Sequence, residues 1–284
     1  MKKLSALLLS LPLMLILVMV FCNHKTGKSD VSPYKKCPKN APPEMSCVPG
    51  GPFIMGSDSK RWTDENPPHK VDLSTFLMDK YEVTTEEYQN CVKEKKCTYV
   101  RSNYRQMRGP KQPQVKVNWF QARDYCRSRG KRLPTEAEFE KASRGPNGNI
   151  YPWGNEKADC SRAVIMDKGK RGCTDKYGQQ GITAEVGSRK PYVYGLYDMS
   201  GNVHEWVNDW YEKSYTKCGK ACLDKDPKGP CDGKDDCPGY TEKVVKGGSW
   251  YWNWDWARAA KRRAWRPINK PPHHFGFRCA KDVE

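Results

Sequence analysis

The chain has 284 residues, enough for one large domain or two small ones, and with 37% hydrophobic and 29% charged residues it is neither a disordered nor a fibrous polymer. Fifty basic against 33 acidic side chains leave a formal charge of +17, which points to an anionic neighbour such as nucleic acid, a membrane surface or an acidic glycan. Twenty-three Gly and 21 Pro, scattered rather than tandem, exclude a helical bundle, a coiled coil and a low-complexity linker.

Lys2 and Lys3 precede an apolar run from Leu4 to Phe21, after which Cys22 opens a polar stretch. That order is the order of a bacterial export signal, and the run sits near the lower limit of about 17 residues for an anchor helix. Thirteen cysteines are odd in number, and setting Cys22 aside leaves twelve that can all pair in an oxidising compartment. Cys22 is therefore expected to be the acylated first residue of a lipoprotein, held at a membrane of the bacterial cell envelope on its periplasmic or surface side. Met19-Val20-Phe21 departs from the small residue that a lipobox prefers before its cysteine. Residues 1–21 read as the signal peptide, 22–36 as a polar flexible tether and 37–284 as one domain.

In that domain Thr84 and Glu87 form a capping box ahead of a helix through Tyr88, Cys91 and Val92. Asn118 caps a second helix through Trp119, Ala122, Tyr125 and Cys126 to Gly130, and Thr135 with Glu138 opens a third that stops by Gly145. Gly51 to Gly56 and Val244 to Trp250 read as short strands among Gly- and Pro-marked turns. The fold class is α+β with much irregular structure. Close spacing suggests the pairs Cys37–Cys47, Cys91–Cys97 and Cys160–Cys173, and leaves Cys218, Cys222, Cys231 and Cys237 with two bridges of open connectivity.

Several motifs in succession resemble the sulfatase-modifying factor family, the formylglycine-generating enzymes. They are Gly50-Gly51-Pro52-Phe53-Ile54-Met55-Gly56, Arg132-Leu133-Pro134-Thr135-Glu136-Ala137-Glu138, Gly201-Asn202-Val203-His204-Glu205-Trp206, Lys246-Gly247-Gly248-Ser249-Trp250 and Phe275-Gly276-Phe277-Arg278. The resemblance implies a compact fold of the C-type-lectin kind. It also implies a disulfide between Cys126 and Cys279, and calcium held by the carboxylates of Asp198 and Glu205 with the carbonyls of Gly201 and Val203, oxygen donors that suit a hard cation. Family members that make formylglycine bind copper(I) through two cysteines, because soft thiolates suit that ion. The matching positions here are Trp252 and Ala257, and no cysteine lies between Cys237 and Cys279, so copper is not expected.

Trp250, Trp252, Trp254 and Trp256 alternate where the thiolates would have been, and Lys261, Arg262, Arg263 and Arg266 follow. An extended backbone would put all four indoles on one face, with Trp252, Trp254 and Arg262 as a ligand surface. Such a face stacks on a sugar and pairs with an acidic group, and export argues against nucleic acid. The adjacent His273 and His274, in a loop flanked by prolines, read as surface residues. Two functions follow: a binding or scaffold module on the envelope, tethered by its lipid and facing an anionic glycan or a protein, or an oxidative enzyme of the formylglycine-generating type with a rearranged site.

Overall fold

A computed structural model describes residues 34–173, 181–269 and 271–283. The signal segment, Cys22 and most of the expected tether lie outside the described residues. The folded body begins at Tyr34, whose hydroxyl donates to Asp72 at 2.7 Å, so the last tether residues are already pinned.

Among the described residues nine short strands build three small sheets. β1 (Met45–Val48), β4 (Phe76–Asp79) and β9 (Ala280–Asp282) form an antiparallel sheet with β4 in the middle, so the last strand joins two of the early ones. β2 (Gly51–Met55) and β3 (His69–Leu73) make a two-stranded antiparallel ribbon. β5 (His204–Trp210), β6 (Lys243–Lys246), β7 (Arg263–Trp265) and β8 (Phe275–Gly276) lie in the order β7-β6-β5-β8, with β8 parallel to β5. Few strands, small sheets and long connections give the irregular α+β fold that the motifs implied.

All three longer helices start where local chemistry places them. α1 (Thr85–Lys93), α2 (Trp119–Ser128) and α3 (Glu136–Arg144) each carry a reciprocal capping box, from Thr84 with Glu87, Asn118 with Gln121 and Thr135 with Glu138. Two single-turn helices follow later, α4 (Tyr215–Cys218) and α5 (Lys220–Leu223). α3 is buried along its whole length although five of its nine residues are charged and buried with it: Glu136, Glu138, Glu140, Lys141 and Arg144. Burial of that kind requires partners. Lys141 donates to the Gly51 carbonyl at 2.7 Å, and Glu138 holds Arg132 in a two-pronged pair at 2.7 Å.

One apolar core packs Phe53, Val71, Phe76, Phe139 and Val207 between the ribbon, α3 and β5. A second gathers Tyr88, Trp119, Trp206, Phe275 and Phe277 between α1, α2 and the other face of β5. Cys126 joins Cys279 across 153 residues beside this second core, as the resemblance implied. Closing so long a loop lowers the entropy of the unfolded chain by the equivalent of about 5 kcal/mol. Cys37–Cys47, Cys91–Cys97 and Cys160–Cys173 pair as expected, and the open four resolve as Cys218–Cys222 and Cys231–Cys237.

The strand expected over Val244 to Trp250 stops at Lys246. Gly247 and Gly248 sit at φ +85° and +74° and turn the chain out of the sheet. A side chain on Gly248 would meet the Trp256 carbonyl at 2.6 Å, so this turn also sets how closely the following segment folds back.

Candidate functional site

The segment between β6 and β7 is fastened at both ends to α3. At its start the Lys246 ammonium lies 2.9 Å from Glu140 and 3.6 Å from Glu136. At its end Arg262 forks onto Glu136 at 2.6 and 2.9 Å and donates to the carbonyls of Asp64 and Glu212, both at 2.8 Å. Burial raises the Glu140 carboxyl, but Lys246 and Arg144 outweigh it and leave the group below its ordinary value. These are fully desolvated pairs with nearly every hydrogen-bonding position filled, the condition under which a buried ion pair is tolerated.

Two expectations for this segment are corrected. Arg262 is buried at 2% exposure and committed to Glu136, so it is a clamp and not part of a ligand surface. The tryptophans do not share a face either, because Trp254–Ala257 is a turn of 3-10 helix and not extended chain. Trp250 is buried among Met107, Val115 and Val203. Trp254 projects to the outside with the Lys157 ammonium 4.5 Å from its ring centre, on a recess of about 630 Å³. Trp252 and Trp256 stack on each other at 4.9 Å. Ala257 is fully buried against Tyr151, Ala163 and Ile165, in an apolar cluster that does not include Trp252.

The Trp252–Trp256 pair forms one wall of a cationic aromatic recess. Successive residues of a strand point to opposite faces, so with Arg262 turned towards α3, Arg263 turns the other way. Its guanidinium lies 5.1 to 5.7 Å from the ring centres of Phe275, Trp265, Trp252 and Trp256. Among the described residues no carboxylate pairs with it, and burial alone pulls it down to about 10. Its hydrogen-bond partner among the described residues is His204, with Nη1 to Nε2 at 3.4 Å, while the other ring nitrogen of His204 faces the Lys246 carbonyl at 3.4 Å. A proton on Nδ1 given to that carbonyl leaves Nε2 to accept from Arg263.

His274 completes the recess and corrects a third expectation. It is 5% exposed, not a surface residue, because its carbonyl accepts from the His204 amide at 2.8 Å and draws the loop into the sheet edge. Its ring lies 5.8 Å from His204 and stacks on Tyr251 at 5.1 Å, and neither ring nitrogen has a hydrogen-bond partner. The indole nitrogens of Trp252 and Trp265 are buried and unpartnered as well. Burial first, then Arg263, hold His274 down to about 3 and His204 well below its ordinary value, so both rings are neutral at pH 7. Sequence reasoning named Trp252 but missed His204, Trp265 and Arg263 as site residues; the strand alternation at Arg262–Arg263 was the signal that could have found the last.

The expected calcium turn lies on the far side of β5's first residues. Asp198 is buried at φ +54° and accepts from the Gly187 amide at 2.6 Å. Both oxygens of Glu205 are taken by Arg278, at 2.7 and 2.8 Å. A third carboxylate, Glu82, accepts from Asn202 and from the Val203 amide. Burial, the largest cause, raises Glu82 well above its ordinary value and raises Asp198 and Glu205 too. Burial thus disfavours the charged form of all three carboxyls around the Arg278 guanidinium, and among the described residues no group of three or more acidic, histidine or cysteine side chains is placed to hold a metal ion.

Comparison with known proteins agrees with this architecture. The sulfatase-modifying factor enzyme 1-like domain matches residues 31–283. A serine/threonine-protein kinase, pkn1 of Chlamydia pneumoniae, is 35% identical over 88% of this chain and 40% of its own length, so the chain spans about two fifths of that relative. The formylglycine-generating enzyme of Thermomonospora curvata is 30% identical over 86% of this chain and 97% of its own. The solved structure of PvdO from Pseudomonas aeruginosa superposes with a TM-score of 0.67 at 26% identity, covering 84% of this chain and 94% of that one. The chain belongs to the sulfatase-modifying factor enzyme 1-like family.

Proposed function

We propose that this family member is an exported, membrane-tethered binding or scaffold module of the cell envelope, without formylglycine-generating activity. The observation that carries the reading is the donor set where the copper thiolates would be. Trp252 and Ala257 offer an indole and a methyl group, and the twelve cysteines of the described residues are all spent in six disulfides. Neither side chain can supply a thiolate to a soft metal ion. The unpaired cation of Arg263 beside both histidines also opposes a positively charged metal in the recess.

Incubation of a Cys-x-Pro-x-Arg sulfatase peptide with the protein and copper, read by mass spectrometry, tests the reading. Unconverted peptide is the expected result. Copper-dependent formylglycine would replace the module with the oxidative enzyme. The tether at Cys22 belongs to the same proposal, and Cys22→Ser should move the protein from the membrane fraction to the soluble one. Calcium at the Asp198 turn is likewise a proposal: Asp198, the Gly201 and Val203 carbonyls and an oxygen of Glu205 would hold it, oxygen donors of the kind that suit a hard cation.

A further inference from the structure

We propose that the recess formed by Arg263, Trp252, Trp256, Trp265, His204 and His274 binds an oxyanion, a carboxylate or a sulfate, carried on a ring that stacks against the indoles. The inference rests on the reading of this domain as a binding module and names the chemistry of its ligand. Three features support it.

The first is an imbalance of donors. Guanidinium and indole groups donate hydrogen bonds and cannot accept them. Arg263, the Trp252 indole and the Trp265 indole therefore bring only donors, and among the described residues the sole hydrogen-bond acceptor that Arg263 meets is His204. Buried donors left without acceptors are costly, so these groups favour a partner that accepts.

The second is charge. Elsewhere in the protein the buried guanidiniums are neutralised: Arg262 by Glu136, Arg278 by Glu205 and Arg144 by Glu140. Arg263 has no carboxylate among the described residues, and the two neighbouring imidazoles carry no negative charge. An oxyanion supplies the missing partner through charge-assisted hydrogen bonds. A cation would meet Arg263 with nothing to offset it.

The third is access. Arg263, Trp252, Trp256 and Trp265 are partly exposed, whereas His204, His274 and the indole nitrogens of Trp252 and Trp265 are buried, so solvent reaches parts of the rings and of Arg263 while the indole donors lie deeper. The exposed parts of these indoles offer apolar area to a flat or sugar ring.

The test follows isotope-labelled tryptophan indole resonances of the full chain during titration with benzoate, phenyl sulfate, inorganic sulfate and the uncharged benzamide. Trp252→Phe and Trp265→Phe assign the two signals. The expected result is a saturable shift of both signals with benzoate or phenyl sulfate, no comparable shift with benzamide, and tenfold or greater loss of affinity in Arg263→Gln. Inorganic sulfate acting as well as phenyl sulfate would refute the stacked ring. No shift with any acid, an equal shift with benzamide, or full affinity in Arg263→Gln would refute the oxyanion. The comparison of benzoate with benzamide uses only unaltered protein, so it stands even where a variant fails to fold. Failure of this titration leaves the formylglycine assay to decide the module reading separately.

Discussion

Replacing Arg262 with Met separates a clamp from a ligand contact. The substitution leaves the Glu136 carboxylate buried, with Lys246 at 3.6 Å as its remaining ionic neighbour, and strips donors from the carbonyls of Asp64 and Glu212. Breaking a buried pair by removing one partner costs about 3 to 5 kcal/mol. Since Lys246 still offsets part of the charge, the lower end applies, and about 3 kcal/mol moves the midpoint of a domain this size by about 6 to 12 °C. Calorimetric melting of the wild type, Arg262→Met and the double variant Glu136→Met/Arg262→Met measures it. The double variant should recover much of the loss, because two apolar groups of similar volume leave no stranded charge. An unchanged midpoint in Arg262→Met, coupled with loss of the benzoate response, would show that Arg262 touches ligand and that the clamp is wrong.

The calcium proposal predicts a midpoint that rises with calcium, by linkage worth about 2.7 kcal/mol at roughly a hundredfold excess over Kd, and a rise that disappears in Asp198→Asn. Flat melting in both proteins would remove calcium from the turn. A pH effect follows from Asp209, which accepts from the Glu136 amide at 2.8 Å and is pushed up to about 7, first by burial and then by Glu136. A carboxyl held above its unfolded value takes up a proton on folding, so its penalty is absent below about pH 4, grows as pH rises to 7 and is complete above it. Asp209→Asn should therefore gain on the wild type between pH 5 and 8, by up to about 4 kcal/mol in chemical denaturation. A constant difference across that range would show that Asp209 ionises normally.

Much of the fold was legible because its signals are local. A capping box satisfies backbone donors within four residues, so Thr84, Asn118 and Thr135 announce their helices without reference to the rest of the chain. The bridges Cys37–Cys47 and Cys91–Cys97 close over short spans and are read in the same way. The site was less legible because it depends on backbone direction and on partners far away in sequence. Alternating tryptophans share a face only along an extended chain, and two glycines at positive φ followed by a 3-10 turn removed that premise. Arg262 and Arg263 are adjacent in sequence, yet a shift of one residue along a strand exchanges the buried face for the open one. What fixes Arg262 inside is Glu136, 126 residues away, which no pattern around Arg262 reveals.

The clamp and the recess are two consequences of one arrangement. α3 presents Glu136 and Glu140 on its buried side, and they hold Lys246 and Arg262 at the two ends of the loop. With its ends fixed, the loop turns at Gly247–Gly248 and returns through the 3-10 turn, which seats Ala257 in the apolar cluster and lays Trp256 against Trp252. That packing puts an indole where the family resemblance would place a copper thiolate and leaves Arg263 partly exposed among rings. An ordinary core satisfies its polar atoms. Here the same molecule that pairs Arg262 and Arg278 at both oxygens of their partners leaves Arg263 without a carboxylate, and two indoles and an imidazole beside it without partners. Among the described residues, an arginine without a carboxylate beside unpartnered indole and imidazole nitrogens distinguishes this position from a core that is merely repacked.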